Sequence, residues 1–227
     1  TNNTIGSATA GNVTTVYSRG ITAQGFDNAL IAKNTIRNME WFVATAEQAI
    51  GLGDVSANGT NSIVEKNIIM GVNNRNTGTY GAYGINVNVG TNITVRNNMI
   101  SGITGDMTGG AAFSTTFGLF GIRVGTSTGH KIYNNSVNIS GLRSGTGSTS
   151  LLAACFGIVG TASTSVDVRN NIFSNTLTGG TTSIAYVSIY LPSGGTSAMN
   201  LMLNNNAYYC GPDNARQGIA QVSTAAS

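Results

Sequence analysis

The residues able to do chemistry are few and do not converge. The eight acids are Asp27, Glu40, Glu47, Asp54, Glu65, Asp106, Asp167 and Asp213. Glycoside hydrolysis needs two carboxyls roughly 5 to 10 Å apart, and a hard cation needs several oxygen ligands. Only Glu40, Glu47 and Asp54 accumulate locally, which is thin for a calcium site. His130 is the single histidine and sits in a Gly-rich turn before Lys131-Ile132. It has no Ser or Cys nucleophile and no orienting acid in any recognisable arrangement. Arg123 alone reads as a solvated charge rather than a base. The glycines include no Gly-Lys-Ser/Thr run, so they do not form a phosphate cradle. Cys155, in Ala-Ala-Cys-Phe, reads as a small core residue. No catalytic residue, metal ligand or cofactor is therefore assigned, and the expectation is a non-enzymatic protein.

Composition narrows the class further. Only 8% of the 227 residues are charged, 31 are glycine, and asparagine and threonine each supply nearly thirty. Gly, Asn and Thr are unfavourable inside helices. With 41% hydrophobic residues and a net charge of +3, a charge-driven disordered chain is also excluded. The eleven Lys and Arg residues are scattered, whereas nucleic-acid binding needs a dense cationic footprint. No stretch reaches the ~18 apolar residues of a membrane span, so membrane insertion is not expected.

The elements that position these residues follow from a repeat of about 34 residues. The pattern apolar, any, polar, Asn, any, apolar is seen in Val64-Glu65-Lys66-Asn67-Ile68-Ile69, Val95-Arg96-Asn97-Asn98-Met99-Ile100 and Ile132-Tyr133-Asn134-Asn135-Ser136-Val137. It places key asparagines at Asn3, Asn34, Asn67, Asn98, Asn135, Asn171 and Asn206, spaced by 31, 33, 31, 37, 36 and 35. A second pattern, a small residue followed by Ile, any, apolar, is interleaved with it, as in Gly84-Ile85-Asn86-Val87 and Gly121-Ile122-Arg123-Val124. From this Ile to the next key Asn is 13 residues in four copies and 17 in two. Alternating apolar residues point to one side of a strand. Each repeat thus reads as two or three short strands joined by turns, and stacked copies close a shared core. The key Asn has two expected uses: adopting the left-handed bend at a corner and hydrogen-bonding its counterparts one coil away, as a ladder.

Tyr83, Phe120 and Phe156 each precede an interior Ile by two and share its parity. They are expected to form a core aromatic stack, the competing reading being a sugar-binding platform. Ser101 to Phe117 and Ser140 to Phe156 are the longest variable loops and hold Asp106 and Arg143 as candidate binding residues, because repeat insertions often mark the binding face. Met39 to Ala46 has apolar residues at 39, 42, 43 and 46, a spacing that predicts a short helix or turn. Cys155 and Cys210 are expected two coils apart, about 10 Å along the axis, too far for a disulfide.

The Asn-Asn-x-Ile corner and Gly-Ile-x-Val strand resemble those of right-handed parallel β-helix proteins of the pectate-lyase-like kind. Stretches such as Gly129-His130-Lys131-Ile132-Tyr133-Asn134-Asn135-Ser136-Val137 are similar to very large surface proteins of bacteria with type IX secretion. The resemblance covers essentially the whole chain and implies a solenoid of about six to seven coils, as a single unit over 1–227. Enzymes of this fold carry acids on the outward positions of the Gly-Ile-x-Val strand. Here those are Thr22, Gly51, Asn86, Arg123, Val159, Tyr190 and Ala220, none acidic. Neither chain end reads as a cap, so further coils of the same protein are expected at both ends. The expectation is a structural or adhesive segment of an extracellular or cell-surface protein, with glycans or other surface proteins as partners. The alternative is a polysaccharide-binding or polysaccharide-degrading β-helix whose active part lies in the long loops or elsewhere.

Overall fold

The computed structural model describes residues 1–7, 9, 18–53, 59–76, 80–105, 118–143, 152–180, 185–192, 199–212 and 217–223. The chain is an all-β parallel solenoid with no helix among these residues. Its strands form three sheets of seven, six and eight members. The six strands of the middle sheet mark six passes of the chain, the first and last five turns apart. One pass runs through Ala82–Thr91, Thr94–Arg96 and Met99–Gly105, each pairing in parallel with the same strand one repeat earlier and later. Parallel strands this short have no partner within their own repeat, which is why one repeat cannot stand alone. The core is a set of columns: Ile21, Ile50, Ile85, Ile122, Phe156 and Ile189 are in register on successive passes.

The two uses expected of the corner asparagine fall on two residues. The positive φ belongs to the residue before it: Asn2, Lys33, Lys66, Asn97, Asn134, Asn170 and Asn205 all lie between 52° and 59°. The key Asn itself, released from the bend, points inward. A lysine in the left-handed region costs about 1 kcal/mol more than asparagine, whose short polar side chain tolerates it. Lys66→Asn, at an outward position, is therefore expected to raise the melting temperature by about 2 to 4 °C. An unchanged or lower midpoint in a thermal scan would count against this account of the corner.

Two further bends alter the side-chain parity. In the seven-stranded sheet the pairing omits Asn38 and Gly71, and then Gly102, all with positive φ. Apolar residues on either side are consequently three apart and both buried: Ile36 with Met39, Ile69 with Val72, Ile100 with Ile103. Of the short helix or turn expected at 39–46, the helix is corrected: Thr35–Trp41 is a strand, and Phe42 and Val43 are exposed. The chain does turn just after it, bending at 43–45 with the Thr45 N–H donating to the Val43 carbonyl at 2.7 Å. In the eight-stranded sheet the omitted positions are Ala49, Gly84, Gly121 and Cys155. These face inward beside an inward neighbour. A Cβ on Gly121 would lie 2.2 Å from Val137 Cγ1 and 2.6 Å from the Cys155 carbonyl oxygen, which explains the small residue before Ile.

That second bend separates the three aromatics expected to stack. Ala82, Leu119 and Ala153 join the main core, whereas Tyr83, Phe120 and Ala154 form a second apolar cluster. Tyr83 and Phe120 are in register and meet edge to face at 5.8 Å. Phe156 instead replaces the interior Ile of its pass and stacks on Phe173 at 5.9 Å. The Gly157-Ile158 pair is therefore shifted by two from its look-alikes. The outward column runs Thr22, Gly51, Asn86, Arg123, Gly157, Tyr190 and Gln221, with Gly157 and Gln221 where Val159 and Ala220 were expected.

Candidate ligand-binding groove

The solenoid has three outer faces of different chemistry. The six-stranded face is charged and internally paired. Arg96 Nε donates to Glu65 Oε2 at 2.7 Å, and Arg169 Nε and the Tyr133 hydroxyl donate to the two oxygens of Asp167 at 2.5 and 2.6 Å. Desolvation and the Asp167 carboxylate push the Tyr133 phenol up to about 12. This face is a girdle of neutralised charge. The seven-stranded face exposes the apolar side chains Ile68, Met70, Met99 and Ile172.

The eight-stranded face carries a polar, aromatic groove of about 410 Å³, lined by Arg19, Thr45, Ala46, Gln48, Tyr80, Tyr83, Asn86, Asn88 and Arg123. Parallel register builds it, because Gln48 pairs with Tyr83 and Gly51 with Asn86, which in turn pairs with Arg123. Gly51 matters as an omission. A Cβ there would sit 2.5 Å from Gln48 Oε1, so the glycine lets Gln48 lie along the face. Gln48 then accepts from Asn86 Nδ2 at 3.1 Å. The Asn86 and Asn88 side-chain oxygens accept from Arg123 Nη1 at 2.9 and 3.0 Å. The Arg123 guanidinium carbon is 5.2 Å from the centre of the Tyr83 ring, a cation–π contact. Arg123, Asn86, Gln48 and Tyr83 are all buried in spite of facing outward. A planar cation is thus fixed by two amides and a ring, in a groove whose described lining includes no carboxylate. Chemically such a site can bind hydroxyls and oxyanions.

The other sequence candidates fall elsewhere. Asn34, Asn67, Asn98, Asn135 and Asn171 are buried, and with Asn3 and Asn206 form a continuous ladder: each Nδ2 donates to the next Oδ1 at 2.9 to 3.0 Å. The same Oδ1 also accepts the backbone N–H of the preceding Asn, as Asn98 Oδ1 does from Asn67 at 3.0 Å. Asp106 and most of both long loops, 106–117 and 144–151, lie outside the described residues. Arg143 is buried at the end of its strand, away from the groove's lining. Glu40 pairs with Arg75 at 3.4 Å, while Asp54 and the Glu47 side chain lie outside what is described. Among the described residues no three His, Cys, Asp or Glu side chains cluster as metal ligands.

His130 is buried and structural. Its Nδ1 accepts the Ile93 backbone N–H at 3.2 Å, one coil back, and two coils back in the same column Ser62 Oγ accepts the Ala29 N–H at 2.8 Å in the same role. Burial lowers its pKa to about 4. Cys155 and Cys210 are free thiols, and burial pushes the Cys155 thiol up, as suits an inert core residue.

Gln48, Asn88 and Arg19 were not legible as site residues. Asn86 was placed outward but read only for missing acids; Arg123, expected as a solvated charge, is instead buried and held by Asn86, Asn88 and the Tyr83 ring, and the parity change that turns Tyr83 outward leaves no mark in alternation. The fold defines the class: a parallel β-solenoid with a side-chain asparagine ladder. No family model, curated protein or solved structure matches the chain.

Proposed function

We propose that this chain is a non-enzymatic, adhesive segment of a secreted or cell-surface β-helix protein, and that it holds saccharide in the groove of its eight-stranded face. The observation that carries this reading is Arg123 clamped by Asn86 and Asn88 over Tyr83, a cation and ring fixed on rigid strands rather than on loops. The absence of a carboxylate from the groove's described lining favours binding over hydrolysis. The resemblance to pectate-lyase-like solenoids and to surface proteins of type IX secretion bacteria agrees with an extracellular setting. The charge-poor composition agrees as well, since the strands rely on backbone ladders and amides rather than ion pairs.

The experiment is a glycan array followed by calorimetry on the ligands retained. Arg123→Ala is expected to weaken binding about tenfold or more, since a hydrogen bond from a charged group is worth about 1.5 to 3 kcal/mol. Retention of no glycan, or equal affinity in the variant, would refute the groove. Measured cleavage of a bound polysaccharide would replace the adhesive reading with the enzymatic one.

A further inference from the structure

The seven-stranded face differs from the other two in being apolar at its centre, the outward charges of its described strands being Arg37 and Glu40 on Thr35–Trp41. Ile68, Met70, Met99 and Ile172 are exposed there by 38%, 38%, 60% and 56%. With Ser101, Ser136, Asn138 and Ser174 they line a concavity of about 290 Å³. The floor is Ser136, in register with Met99 on one side and Ile172 on the other, so a small residue forms a notch between two large apolar walls. Along the same strand, Ser136–Arg143, even-numbered residues face out while Val137, Ile139 and Arg143 are buried. Six residues beyond the notch stands Leu142, 73% exposed, the most exposed large apolar side chain among the described residues. One face thus holds both a knob and a hole that fits it.

We propose that this face is a dimer interface, and that its occupant is the same face of a second copy of this chain. Six residues place Leu142 about 20 Å from the Ser136 notch. A two-fold axis lying in the interface, perpendicular to the strands at the level of Ile139, brings the two faces together with these strands antiparallel. Each Leu142 then enters the other copy's notch between Met99 and Ile172. Such a contact is isologous and closes at two subunits. The face is large enough: seven strands about 4.8 Å apart and about 23 Å long present roughly 700 Å², close to the about 800 Å² per partner of a standard interface. Its composition fits as well, since interface cores are depleted in charge and enriched in Met. The six-stranded face, with Glu65, Arg96, Lys131, Asp167 and Arg169, has the opposite character. The proposal is independent of the groove, which lies on another sheet.

The test is the mass in solution of the purified chain. Sedimentation equilibrium is expected to show a closed dimer at about 100 μM, above the micromolar-or-tighter Kd typical of interfaces this size. Met99→Lys places a charge in the notch wall at an exposed position. It is expected to give a monomer whose melting temperature equals that of the wild type measured at concentrations below the dimer Kd. Leu142→Ser, more exposed still, is expected to do the same and serves should Met99→Lys fold poorly. In a Cys210→Ser background, Ser136→Cys in one protein and Leu142→Cys in another are expected to form a mixed disulfide on mild oxidation. A monomeric wild type, open-ended polymer without a dimer plateau, a folded Leu142→Ser variant that still dimerises, or no mixed disulfide would each overturn the proposal.

Discussion

Asn98→Leu is expected to lower stability by about 4 kcal/mol, from the orphaning of several buried polar groups at about 1 to 3 kcal/mol each. Asn98 Oδ1 accepts both the backbone N–H and the side-chain Nδ2 of Asn67, at 3.0 and 2.9 Å. Its Nδ2 donates to Val64 O at 3.0 Å and to Asn135 Oδ1 at 2.9 Å. Leucine has similar volume but meets none of these. The losses fall on both neighbouring coils, in a site with no water access, because Asn98 is only 1% exposed. Asn3→Leu is the control. Asn3 is exposed, at the end of the ladder, and donates to Asn34 alone. It should cost well under half as much. Urea unfolding of the two variants measures the difference through the midpoint at constant slope. Equal midpoints would place the stability outside the ladder.

Acidification from pH 7.5 to pH 5 should destabilise the protein through His130. In the unfolded chain this histidine has its ordinary pKa near 6.5, and in the fold burial holds it at about 4. The sign follows from proton binding: below the unfolded value the unfolded chain takes up a proton that the folded chain refuses. The contribution is complete above 6.5 and is lost as pH falls through the folded value. The loss is about 2 kcal/mol at pH 5 and about 3 kcal/mol below pH 4. The geometry gives the same direction, because a protonated Nδ1 cannot accept the Ile93 N–H. Asp27, held below its ordinary 3.8 chiefly by the Thr60 and Asn61 hydrogen bonds, acts only at more acid pH. His130→Asn keeps an acceptor and cannot titrate. Stability measured from pH 7.5 to pH 5 should fall in the wild type and stay nearly flat in this variant. Parallel slopes would remove His130 as the cause.

The solenoid was legible because repetition multiplies a weak signal. One Asn-Asn-x-Ile segment says little, but seven asparagines at spacings of 31 to 37 residues leave few other architectures. Legibility failed wherever period-two alternation was taken as continuous. The apolar spacing at Met39, Phe42, Val43 and Ala46 mimics a helix, yet Met39 is buried in a strand that has already bent at Asn38, and Phe42 and Val43 are exposed in the turn beyond it. The bend at Gly84 and Gly121 reverses parity in the neighbouring sheet, so Tyr83 and Phe120 counted to the wrong side. Gly157-Ile158 imitates a motif that its own coil places two residues earlier, with Cys155 as the small residue and Phe156 as the interior one.

By itself, then, the sequence determined the coil: its period, its corner asparagines, its apolar columns and its poverty of acids. These are local properties, carried by residue type and repeated in every copy. What only the tertiary structure decided is which side chains meet across coils. Gln48, Asn86 and Arg123 are 38 and 37 residues apart and touch because the strands stack in register. Met99, Ser136 and Ile172 make a notch for the same reason. The physical cause is that a parallel ladder fixes lateral neighbours through backbone hydrogen bonds. A one-residue interruption in it leaves composition and spacing almost unchanged and still moves a side chain to the opposite face.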